Sequence, residues 1–238
     1  MDYKLTLPSA LDYFSTLVQS DEEFPLLETA VSLAQDEFPA LDIQQVLGEI
    51  DVMSAKLKRR LMPNADALDK LRELNRFFYE DMRFAGNVNH YDDPHNSYLN
   101  VVLSKRLGIP ISLAVLWLEL GQSLGLNVSG VSFPGHFLVK LDLNFPQEGH
   151  VVIDPFTGES LSREDLAERL IPWLPGAKLG KPQAISDDSL AFHLEPAEPR
   201  QIIARMLRNL HEIYRRQDDQ ERLLKVRARL ALLFLKIN

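Results

Sequence analysis

Apolar positions along the first half of the chain recur at three- and four-residue spacing. Leu26, Leu27, Ala30, Val31, Leu33 and Ala34 predict a helix that ends at Phe38-Pro39. A second helix is expected after Asp42, with Val46, Leu47, Ile50, Met53 and Leu57 on one side. Leu68, Leu71, Leu74, Phe77 and Phe78 predict a third over residues 66–82. Turn residues then cluster from Gly86 to Pro94. Asn96 or Ser97 is expected to cap a short helix carrying Leu99, Val102 and Leu103. A helix beginning near Ser112 should bury Leu113, Leu116, Trp117, Leu120 and Leu124, and stop at Gly125.

From residue 126 the period shortens to two. Val128, Gly130–Phe133, Phe137–Leu143 and His150–Ile153 predict strands, with residues 144–149 as a hairpin connection. On the second of these, His136, Leu138 and Lys140 should share one face, and Phe137, Val139 and Leu141 the core face. One more helix is expected over 161–175. The stretch 176–198 is broken by proline and glycine and reads as a linker. Two helices around Gln217-Asp218-Asp219 close the chain, with Leu207, Leu210, Tyr214, Leu223, Val226, Leu230 and Leu233 facing inward. A single helical hairpin cannot bury its own faces, so it must dock on the main body or on another chain.

Composition narrows the function classes. The 238 residues are 45% hydrophobic and 25% charged, an ordinary globular balance that excludes a low-complexity chain. A net charge of −8 disfavours nucleic acid and anionic membranes as partners. The basic run Lys56, Lys58, Arg59 and Arg60 falls in the last turn of a helix, where cations complement the dipole. No apolar run approaches the ~20 residues of a membrane span. The first residues lack the pattern of a secretion signal. A cytoplasmic location is expected. The absence of cysteine excludes disulfides, thiolate metal sites and thiol nucleophiles. His90, Asp92, Asp93 and His95 match no standard ligand spacing, so neither a metal nor a cofactor is expected.

The candidate chemistry lies in three segments. Gly108-Ile109-Pro110-Ile111-Ser112 opens an apolar helix, Phe133-Pro134-Gly135-His136-Phe137 leads into a strand, and Ile153-Asp154-Pro155-Phe156 ends the next. A nucleophile-type residue at a helix start, followed by His and then Asp on strands, is the order of papain-like and transglutaminase-like enzymes. Hairpin pairing would let Asp154 orient His136, and free N–H groups at the helix start would offer an oxyanion site near Ser112. A serine in place of cysteine is the difficulty. A helix terminus and an imidazolium can hold a thiolate, but a hydroxyl needs concerted proton removal by a well-placed base. The alternative for Ser112 is a first-turn serine that satisfies backbone groups. For His136 and Asp154 it is a structural pair. Asn96 and Asn100 could line the cleft or serve as caps.

The chain resembles the SirB-type family, bacterial proteins with a transglutaminase-like core and tetratricopeptide-like helices behind it. The resemblance runs through Glu28-Thr29-Ala30, Glu37–Asp42, Gly86-Asn87, Tyr91–Pro94, Asn96–Asn100, Arg106–Ser112, Gly130–Leu138 and Ile153–Phe156. It implies an α+β fold: a papain/transglutaminase-like core with N-terminal helices and a C-terminal helical hairpin. The expected division is a helical segment of the core domain at 1–84, the core at 85–180, a linker at 181–198 and the hairpin at 199–238. Ser112, His136 and Asp154 fall at the triad positions, where serine is usual for the family. The family's link to control of invasion-gene expression implies a regulator. Its members continue with further helical repeats, so this chain is expected to be a shorter member or a portion of one. Three functions follow as expectations. The first is a non-thiol pseudoenzyme or regulator that binds a peptide or protein. The others are a Ser-His-Asp hydrolase or acyltransferase acting on peptide, amide or ester bonds, and a helical-repeat adaptor, with a homodimer through the C-terminal helices left open.

Overall fold

The computed structural model describes residues 8–144, 148–174 and 185–235. The middle of the expected 144–149 connection, residues 175–184 and both chain ends lie outside the described residues. The chain folds as helices wrapped around one long buried helix and a small antiparallel sheet, the α+β arrangement expected. The N-terminal helices are α1 (Ala10–Leu17), α2 (Leu26–Ser32), α3 (Ile43–Lys58) and α4 (Ala67–Asn75). Ser9, Asp42 and Asp66 cap α1, α3 and α4 by accepting backbone N–H bonds. Of the basic run at the end of α3, Arg59 and Arg60 are held on the protein itself. Arg60 bonds Asp81 and Glu73 and lies over the Phe77 ring at 4.9 Å.

The helix expected over 66–82 changes character partway. After α4, residues Arg76–Asp81 form a π-helical turn that sends Phe77 and Phe78 into the core. Strand β1 (Ala85–Gly86) then pairs in parallel with β2 (Leu107–Gly108), across α5 (Leu99–Lys105). Asn96 and Ser97 do not cap α5. They sit in a 3-10 turn, Pro94–Ser97, capped by Asp93, and Tyr98 occupies the N-cap of α5 without a side-chain bond. Arg106 turns the chain out of α5 in the left-handed region, with φ 60°.

Helix α6 (Pro110–Ser123) is the centre of the molecule. Pro110 stands at its first position, where a missing N–H costs nothing. Trp117 is fully buried and its indole N–H donates to Asn75 Oδ1 at 2.9 Å. The sheet follows as β3 (Val128–Val131), β4 (Leu138–Leu143), β5 (Gly149–Ile153) and β6 (Ser160–Leu161), all antiparallel in sequence order.

Both faces of this sheet are covered, which corrects the one-sided strand expected. Val139 and Leu141 join the main core, whereas Leu138 is buried in a second cluster with Val131, Phe133 and Val152. Helices α7 (Arg163–Leu170) and α8 (Asp187–His193) close that second cluster through Leu166, Leu170, Leu190 and Leu194. The linker expectation also changes, because α8 lies within 181–198. Its Leu190 and the following Leu194 are both buried. Beyond it Pro196 bridges Val131. Proline and glycine around residue 180 draw attention away from a helix of only seven residues with a single buried side chain, Leu190.

The closing hairpin is α9 (Pro199–Arg216) and α10 (Gln220–Phe234). It docks on the body, one of the two placements expected. Ile202, Ile203, Met206, Leu207, Leu210, Leu223, Val226 and Leu233 all belong to the main core. Tyr214 meets Tyr98, hydroxyl to hydroxyl, at 2.5 Å. Arg200 reaches back to the Val18 carbonyl at 2.7 Å. The main apolar cluster therefore runs from Phe14 to Leu233.

Candidate functional site

Ser112 is the third residue of α6 and has no solvent exposure. Its Oγ donates to the Asn96 carbonyl at 2.6 Å and accepts the Ile109 N–H at 3.1 Å. The hydroxyl thus closes the helix start, reaching back to the N-cap N–H as a capping side chain does. Room for it comes from Gly108, where a Cβ would lie 2.8 Å from Ser112 Oγ.

Asn96 is placed for this contact by its own side chain. Its amide donates to the carbonyls of His90 (2.7 Å) and Tyr91 (3.2 Å) and accepts from Asn87 Nδ2 at 2.9 Å. The turn-rich segment 86–96 is thereby fastened over the start of α6. Asn96 serves as a loop anchor whose backbone carbonyl engages Ser112.

His136 and Asp154 meet as the hairpin register predicts. β4 begins at Leu138 and Val139 pairs with Ile153, so the residues just outside the ladder are neighbours. His136 lies in the turn before β4, not on the strand. Its Nε2 is 2.8 Å from Asp154 Oδ1. Asp154 is nearly buried and also accepts from Arg169 Nη1 at 2.7 Å and the Phe156 N–H at 2.9 Å. Burial disfavours its charge, but the hydrogen bonds from His136 and Arg169 outweigh burial and hold the carboxyl below the usual carboxylate range. An ionised carboxylate only accepts, so the proton between the pair resides on His136 Nε2. No hydrogen bond engages Nδ1 among the described residues.

Three side chains at this site escape sequence reasoning. Arg169 comes from α7 and ties down Asp154. Arg205 comes from α9 and donates to the carbonyls of His136 (2.7 Å) and Phe133 (3.3 Å), with its guanidinium 5.5 Å above the Phe137 ring. Trp173 packs on Gly135, whose φ of +70° and close approach to that ring both exclude a side chain. No local pattern marks these residues, because helical packing brings them in from 15 to 69 positions away. Their only signal is chemical: an arginine on a helix otherwise patterned for burial, and an exposed tryptophan.

The structure brings His136 and Asp154 together, but no hydrogen bond joins Ser112 to His136 among the described residues. The hydroxyl's one proton is directed at Asn96. Of the acidic and histidine residues between 90 and 95, Asp93 and His95 pair at 2.8 Å, and Asp92 lies 3.8 Å from Arg216. Among the described residues no three such side chains are placed to hold a metal ion. No helix among them is long and apolar enough to cross a membrane.

A model of the transglutaminase-like superfamily matches residues 44–208, which span α3 to the middle of α9 and include all three triad positions. A UPF0162 protein of Xylella fastidiosa is 40% identical over 207 residues, covering 85% of this chain and 69% of that protein. A UPF0162 protein of Vibrio cholerae is 32% identical over 202 residues, covering 83% and 70%. F-box only protein 21 of Mus musculus shares 39% identity over 70 residues, 29% of this chain and 11% of its own. No solved structure gives a significant match. The chain spans about two thirds of the length of the UPF0162 relatives. By the extent of the family match and of the UPF0162 identity, this chain belongs to the transglutaminase-like superfamily, among the UPF0162 proteins.

Proposed function

We propose that this chain is a SirB-type regulator: a non-thiol pseudoenzyme of the transglutaminase fold that binds a peptide or protein in the cytoplasm. The observation that supports it is the state of Ser112. Its hydroxyl is sealed from solvent and spent on Asn96 and Ile109. A serine nucleophile needs its proton on a line to the base, with the attacking oxygen open to a carbonyl carbon. The binding residues we assign are those at the surface of the His136 turn. Trp173 is 59% and Tyr91 49% exposed, each a large apolar face with a polar tip of the kind that anchors partners.

Labelling with a fluorophosphonate probe, read by intact mass on wild type and Ser112→Ala, tests the proposal. No adduct on either protein is expected. An adduct on wild type that vanishes in Ser112→Ala would establish a Ser-His-Asp hydrolase or acyltransferase instead. The ordered His136–Asp154–Arg169 chain, with Nδ1 unengaged, favours that second reading. The helical-repeat adaptor reading draws less support, because the inner faces of α9 and α10 are used within the chain itself.

A further inference from the structure

Between α3 and the end of α5 lies an open groove of about 430 Å³. Val52, Met53, Met82 and Leu103 give it apolar walls, and Arg106, Lys56 and Glu49 carry its charges. No lining residue is adjacent in sequence to an undescribed one. The helices nearest the undescribed chain ends, α1 and α10, line no part of it.

Two residues here are poor choices for the backbone that carries them. Gly48 sits inside α3, where glycine weakens a helix, yet a Cβ there would meet nothing within 4 Å. Packing gives no reason for the missing side chain, and the groove gains the space. Arg106 ends α5 at φ 60°, a left-handed conformation suited to glycine or asparagine. Its guanidinium is held 4.7 Å over the Phe84 ring, and its Nη1 lies 4.0 Å from the Met53 sulfur. Among the described residues no carboxylate comes within ion-pair distance of Arg106 or Lys56, and Glu49 acts on Arg106 only from farther off. The two cations and Glu49 leave one positive charge in the groove. Neighbouring charges do not cancel it. Asp81 is bonded to Arg60, Asp51 lines a different groove with Glu119, and Arg83 and Lys105 outnumber Glu80. We propose that this groove binds a small amphiphilic monocarboxylate, with its carboxylate on the Arg106 guanidinium and its aliphatic body along Met53, Met82 and Leu103. The planar guanidinium fork matches a carboxylate bidentately, and one negative charge neutralises the one left over.

Methionine-methyl NMR of the whole chain, titrated with sodium octanoate, tests this. Met53 and Met82 line the groove, whereas Met62 is exposed outside it and Met206 lies in the main core. Saturable shifts are expected at Met53 and Met82 and not at Met62 or Met206. The expected dissociation constant is about 1 mM or below, for a ligand of roughly ten non-hydrogen atoms. Octanamide, with the same tail and no charge, is expected to bind at least ~tenfold more weakly. Arg106→Asn suits the left-handed backbone and is expected to weaken octanoate at least ~tenfold. Gly48→Leu fills the groove and is expected to abolish the shifts while Tm holds or rises. Arg106→Asn keeps the test decisive if Gly48→Leu does not fold. Octanoate shifts absent from Met53 and Met82, or equal at Met62, overturn the site. So do octanamide binding as tight as octanoate and wild-type affinity in either folded variant.

Discussion

Ser112 illustrates how one hydroxyl can answer a structural need at a position that catalysis would claim. Two buried backbone groups, the Ile109 N–H and the Asn96 carbonyl, depend on it. Ser112→Ala leaves both unpaired and is expected to destabilise the fold by about 1–3 kcal/mol, measured by urea unfolding. A free nucleophile would be replaceable at little cost in stability. Asp154 yields a second expectation, from its lowered pKa. A carboxylate depressed in the folded state contributes stability above its unfolded pKa of ~3.9 and loses it as pH falls through the folded value. Asp154→Asn should therefore be less stable than wild type near neutrality, and the gap should narrow below about pH 4, as followed by acid unfolding. A gap independent of pH would show that the charge of Asp154 contributes nothing. Ser112, His136 and Asp154 were legible because each follows a local signal: a helix start with Pro110, a Pro-Gly turn, and the end of a paired strand. The partner of Ser112 was not, because Asn96 contributes a backbone carbonyl that no side-chain pattern reveals.

Among the elements, the turn Phe133–Phe137 is held from outside its own hairpin. Trp173 presses on Gly135 from beyond α7, while Arg205 on α9 grips two of its carbonyls. The Ala197 N–H adds a bond to the Gly130 carbonyl at 2.8 Å. The C-terminal hairpin is thus part of what orients His136. Arg205→Ala is expected to raise hydrogen exchange across residues 133–137 at least tenfold while far-UV circular dichroism stays unchanged. Arg205→Lys should rescue it only in part, since an ammonium lacks the planar fork that spans two carbonyls. Exchange that stays at the wild-type rate in Arg205→Ala would release the hairpin from this role. Helical and strand periods predicted most elements well. They failed at the π turn after α4 and at α8. At the π turn, Phe77 and Phe78 keep a helical apolar pattern while the backbone widens. In α8, a seven-residue helix carries too little periodicity to stand out beside proline and glycine.

At the scale of the molecule, a transglutaminase-like core is enclosed by helices at both chain ends, and one apolar cluster spans them. Enclosure fits the sealed Ser112: segment 86–96 lies over the start of α6, fastened by Asn87 and Asn96. The sheet packed on both faces leaves the His136 turn as the part of the triad region that meets solvent. Under the proposed function, position 112 is closed and not activated. Because the chain has no cysteine, Ser112→Cys places a single thiol there, and its alkylation by iodoacetamide across pH reads that position alone. A rate at least ~100-fold below that of a free thiol is expected, with no acceleration below the ordinary thiol pKa of about 8.5. Alkylation at pH 6 as fast as or faster than a free thiol, in a protein that remains folded, would contradict it and make this an open, activated nucleophile site.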